Sequence, residues 1–82
     1  LSTASSVVTP LQVKLARTAL GLGLRELASA AGVAPSTITR FETGKGGMHT
    51  GTLERIQKVL EDGGVTFLPD DAGAGVGIRV RL

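Results

Sequence analysis

Between Leu24 and Lys45 the chain reads LRELASAAGVAPSTITRFETGK, two helix-length stretches separated by a short turn. In the first, about 24 to 31, Leu27 and Ala28 face inward and Arg25 and Glu26 outward. Gly32 ends it, because a residue without a Cβ enters the left-handed region at little cost. Val33 then returns an apolar side chain to the core, and Pro35 suits the first position of the next helix. There Ile38 and Phe41 share one face at i and i+3. With Ala28, Gly32, Val33, Ile38 and Phe41 so spaced, the second helix lies across the first and one face of each is buried.

The flanking segments read as support. Residues 1–9 are Ser/Thr-rich and expected to be a loose arm, although Val7 and Val8 have something to bury. Thr9 followed by Pro10 starts a helix over about 10 to 20, with Val13, Ala16, Arg17 and Leu20 on one face and Gly21 as the stop. Leu11 and Leu15 form a second apolar stripe, to be covered by the C-terminal segment or by a partner subunit. Residues 44–51, GKGGMHTG, form a loop by composition. A helix over about 51 to 62 then carries Leu53, Ile56 and Leu60 and ends at Gly63-Gly64. Beyond it the period changes. Residues 65–68 are β-branched or apolar, and residues 78–82 alternate strictly, with Ile78, Val80 and Leu82 opposite Arg79 and Arg81. The glycine-rich PDDAGAGVG between these strands permits either a hairpin packed on the first and last helices or a strand that crosses to a second subunit.

At 82 residues the chain holds one small domain. The expected divisions are an arm at 1–9, a helical domain at 10–63 and a β segment at 64–82, the last a candidate dimerisation element. An apolar content of 41% is ordinary for a globular chain, and no apolar run approaches the roughly 20 residues that span a bilayer. Without cysteine there are no disulfides and no thiolate metal sites. LSTASS has neither the basic nor the apolar region of a signal peptide, and the missing initial Met suggests an excerpt. The net charge of +2 is unevenly spread. Residues 1–50 set five basic side chains against two acidic, a net +3, whereas residues 51–82 set four against five, a net −1. A basic half carrying two crossed helices is the pattern of a helix-turn-helix whose surface faces DNA.

Residues 10 to 62 resemble the phage repressor and Cro family of helix-turn-helix domains, also called xenobiotic-response-element-like. Ala28, Gly32, Val33, Ile38 and the run Phe41-Glu42-Thr43-Gly44-Lys45 carry the likeness. It implies a mainly α, four-helix lambda-repressor-like DNA-binding domain, here with a C-terminal β-strand pair. It also implies that an arginine of the first helix, matched by Arg17, pairs with the glutamate closing the third, matched by Glu42, in a structural role. The third helix then enters the major groove. Pro35, Ser36, Thr37, Thr39 and Arg40 are the candidates for bases or adjacent backbone, with Arg40 the strongest because a guanidinium can bridge guanine O6 and N7. Phosphates are expected at Lys45 and at the backbone N–H groups of Gly23, Leu24 and Arg25, where a helix begins. Two positions depart from the family: Leu24 replaces a frequent glutamine, and Ala34 a frequent Ser or Thr cap.

Rival chemistry is thin. GKGG and GAGVG lack the spacing and context of phosphate-binding or dinucleotide-binding loops. Asp70-Asp71 reads as a solvated loop, and His49 as a loop residue near DNA. Neither an enzyme nor a metal or cofactor site is expected. The expected function is a cytoplasmic, nucleoid-associated, sequence-specific transcriptional regulator, a repressor by preference. It would bind double-stranded DNA as a homodimer on a palindromic operator, joined through residues 65–68 and 78–82. Two alternatives are an antitoxin that binds DNA and a toxin, and a protein-interaction module without DNA binding.

Overall fold

The computed structural model describes residues 8–70 and 75–81. Four helices, α1 (Pro10–Ala19), α2 (Leu24–Ala31), α3 (Pro35–Glu42) and α4 (Thr50–Asp62), are followed by strands β1 (Val65–Leu68) and β2 (Gly77–Val80). The fold is mainly helical, as the apolar periodicity requires. Val13 and Ala16 of α1, Leu27, Ala28 and Ala31 of α2, Ile38 and Phe41 of α3, and Ile56 and Leu60 of α4 converge on one core. Gly32 caps α2 at φ 71°, in the left-handed region, and its N–H closes on Ser29 O while Val33 N–H reaches Ala28 O. That turn aims α3 across α2.

The two strands pair with each other. They form an antiparallel hairpin in the register Val65↔Val80, Thr66↔Arg79, Phe67↔Ile78 and Leu68↔Gly77. β1 lies against α4 and β2 against α1, so the segment after Gly63 belongs to the same folded unit as the helices. Ile78 and Val80 turn towards the core and Arg79 away from it, as the alternation predicts, while Leu82 lies outside the described residues. The strand that could have crossed to a second subunit is therefore engaged within its own chain.

The N-terminal boundary also moves. Val8 is buried and Thr9 is the N-cap of α1, so both join the domain; Val7 and the remainder of the expected arm lie outside the described residues. Gln12 makes the connection that holds the hairpin. Its Oε1 accepts from the Thr9 N–H at 3.0 Å, and the Gln12 N–H donates to Thr9 Oγ1 at 3.2 Å, a reciprocal capping box. Its Nε2 then donates to both Leu68 O and Gly77 O at 2.9 Å, the carbonyls of the ladder's last pair. At 1% exposed, the Gln12 amide has no water to replace those partners. The hairpin so anchored leaves Leu11 and Leu15 uncovered, at 56% and 42% exposure.

Candidate nucleic-acid interface

Arg17 fixes the attitude of α3. Its Nε donates to Glu42 Oε2 at 2.8 Å and its Nη2 to Glu42 Oε1 at 2.9 Å, a fork-to-fork pair. Its Nη1 donates to Leu22 O at 3.1 Å in the turn before α2. One guanidinium thus joins α1, the α1–α2 turn and the end of α3. The Glu42 side chain is only 6% exposed, and the Arg17 side chain 16%. The hydrogen bond to Glu42 holds the Arg17 proton more tightly than usual; burial opposes this and the Glu42 charge adds to it.

With Glu42 turned inward, the outer face of α3 carries no carboxylate. Pro35, Ser36, Thr39 and Arg40 are exposed and Thr37 is half-buried. The Thr39 hydroxyl donates to Pro35 O at 3.2 Å, within its own helix, which leaves its oxygen to act as an acceptor. Ala34 occupies the N-cap and supplies no side-chain bond.

Arg40 stands in the last turn of α3, where the chain folds back over it. Its backbone O accepts from the Lys45 N–H at 2.9 Å, and a Cβ placed on Gly46 would come within 3.3 Å of its Nη2. The guanidinium therefore lies against Gly46 of the loop, and Arg40 also lines a cleft of about 310 Å³ with Thr37, Gly47, Met48, His49 and Thr52. Lys45 is exposed on the same loop.

The start of α2 is the second basic approach, and it is partly occupied. The Gly23 N–H donates to Glu26 Oε1 at 2.7 Å, so this expected phosphate donor already has an anionic partner. Leu24 packs its side chain against the core, whereas Arg25 is exposed. A carboxylate in the first turn and the missing glutamine together make this end a weaker anion site than the residue positions alone imply. Among the described residues there is no cluster of three or more His, Cys, Asp or Glu that could hold a metal, and no helix long and apolar enough to cross a membrane.

Two short helices crossed at a glycine turn, the second presenting hydroxyls and one cation and braced from behind by an ion pair, define a helix-turn-helix unit. Residues 11–64, about two thirds of the chain, match the family model described as a helix-turn-helix domain. The chain belongs to this family, a class of DNA-binding regulators. No curated protein shows significant similarity to it.

Proposed function

We propose that the domain is a sequence-specific transcriptional regulator, a repressor of the phage repressor and Cro type, acting in the cytoplasm at the nucleoid as a homodimer on a palindromic operator. The observation that carries this reading is the outer face of α3. Its one carboxylate is sequestered by Arg17, and what remains is suited to base edges and phosphates. In this reading Pro35, Ser36, Thr37 and Thr39 enter the major groove, with Thr39 restricted to accepting from a base amino group. Arg40, drawn over Gly46, grips backbone phosphate in preference to guanine, and Lys45 does the same beside it. Arg25 and the free N–H groups of Leu24 and Arg25 approach the backbone at the start of α2.

A single such module makes few base contacts, so two copies on half-sites one helical turn apart follow from the required specificity. Because β1 and β2 pair within the chain, an intermolecular sheet has only the outer edges of the hairpin to build on. The exposed Leu11 and Leu15 on α1, the helix on which β2 rests, extend the apolar surface available to a second copy.

The assignment of cations is tested by Arg40→Ala and Lys45→Ala. Each is expected to weaken binding about tenfold on operator and mixed-sequence duplex alike, and to lower the slope of log affinity against log salt by about one. Loss confined to sequence preference after Arg40→Ala would return Arg40 to base reading.

A further inference from the structure

α1 has a second face that the core does not use. Leu11, Leu15, Thr18 and Ala19 stand at i, i+4, i+7 and i+8, one stripe along the helix, and all four are exposed. No charge interrupts the stripe, and Lys14 flanks it with a long side chain that keeps its ammonium in water. Leu11 and Leu15 are 56% and 42% exposed, and Val76 is the one further large apolar side chain so exposed among the described residues. Val76 immediately precedes Gly77, whose carbonyl is held by Gln12 of α1, so all three lie on α1 or at the strand start tied to it. Arg17, which braces α3, is two residues from Leu15 and therefore nearly opposite it round the helix. The stripe is thus clear of α3 and of whatever α3 binds.

We propose that this stripe is where two copies of the chain touch, α1 against α1 about a two-fold axis, and that the contact forms when both are held on one DNA duplex and not in free solution. The inference rests on the DNA-binding reading and adds to it the surface and the order of assembly. A two-fold axis across α1 sets the helices antiparallel, Leu11 of one copy against Leu15 of the other, with the small Thr18 and Ala19 permitting close approach. Area decides the order. Leu11, Leu15 and their neighbours offer on the order of a few hundred Å² per copy, against roughly 800 Å² per partner in a stable complex. A contact that small does not hold a protein met by diffusion, which sets aside a foreign partner docking here alone. It suffices for a partner that DNA has already brought alongside. Half-sites one helical turn apart are separated by about 34 Å, and the domain measures 34 × 30 × 22 Å, so its two longer dimensions fill that spacing. Holding both copies on one duplex raises the effective concentration of the second to roughly millimolar, where a contact too weak for solution closes.

The chain has no cysteine, so one introduced thiol reports one position. Leu15→Cys and, as a control, Ser29→Cys at an exposed site on α2 are oxidised with copper phenanthroline, alone and with a 40-base-pair duplex of mixed sequence at low ionic strength. Non-reducing electrophoresis is expected to show covalent dimer rising about tenfold on adding duplex for Leu15→Cys, and less than about threefold for Ser29→Cys. Sedimentation velocity of the unaltered domain without DNA is expected to give monomer at about 10 μM. In fluorescence anisotropy, Leu11→Ser combined with Leu15→Ser is expected to weaken binding to the 40-base-pair duplex about tenfold. Binding of that double variant to a 12-base-pair duplex, which has room for one copy, is expected to stay within about twofold and shows that the variant is folded. A dimer without DNA, equal cross-linking at Ser29, or a double variant that loses nothing on the longer duplex or loses equally on both overturns the inference while leaving DNA binding in place. Absence of binding by the unaltered domain to either duplex removes the DNA reading itself, and this inference with it.

Discussion

Arg17→Ala is expected to destabilise the domain by about 3–5 kcal/mol, because it leaves the Glu42 carboxylate, only 6% exposed, with no partner. Small domains have only about 5–15 kcal/mol in total. At roughly 4 °C or more per kcal/mol for a chain of this size, the melting temperature falls by at least about 12 °C, readable by circular dichroism. The pair's net worth is smaller than the cost of breaking it. Arg17→Met combined with Glu42→Leu removes both desolvation penalties, and is expected to recover most of the lost stability. The double variant would then hold the fold while losing the brace that aims α3, so its DNA affinity should fall even where its melting temperature does not. Since folding raises the Arg17 pKa above its ordinary value, the pair's contribution is complete below that ordinary value and is lost only as pH rises through the higher folded one. A change in DNA affinity between pH 6 and 8 therefore does not arise from this arginine.

The second large effect is expected at Gln12. Gln12→Ala removes the donor to Leu68 O and Gly77 O and the acceptor for the Thr9 N–H, all at a buried site. Two part-buried carbonyls left without this donor cost about 1–3 kcal/mol each, so a loss of about 2–6 kcal/mol is expected in the melt. Gln12→Glu distinguishes the donor role from simple bulk. The carboxylate keeps an acceptor for Thr9 but turns an anion towards two carbonyl oxygens, and is expected to be no better than alanine. Hydrogen exchange should show the β1–β2 amides losing protection in both variants before those of α2 and α3, because Gln12 ties the hairpin to α1 and leaves the α2–α3 crossing alone. Equal loss across all elements would mean that hairpin and helices open as one unit.

These two residues mark what the sequence made readable. Helix positions followed from apolar spacing: Val13 with Ala16 and Ile38 with Phe41 are buried at the i, i+3 spacing of a 3.6-residue period. The approach of Arg17 to Glu42, across 25 residues, was readable only through family resemblance, because charge type alone does not select a distant partner. The Gln12 connection has no such pattern, since its partners are backbone carbonyls 56 and 65 residues away and every residue carries one. Half of its role was nevertheless legible, because Thr9 and Gln12 stand at the Thr-x-x-Gln spacing of a capping box. Alternation in 78–82 specified which side chains face inward but not which strand they join; the pairing partner is a tertiary choice. The fold-back of Gly46 over Arg40 was hidden for a similar reason, since GKGG predicts a loop and not its path. That path sets where the Arg40 guanidinium lies, and the proposed phosphate role rests on it.

The central claim, that α3 reads sequence as one of two symmetric copies, is tested most directly by selecting binders from a pool of random duplexes and sequencing what is retained. Enrichment of a palindrome whose half-sites lie about 10 base pairs apart, centre to centre, is expected. Ser36→Ala and Thr39→Val should alter preference at defined positions within each half-site. Retention of duplexes without any enriched motif, or of none at all, would contradict it.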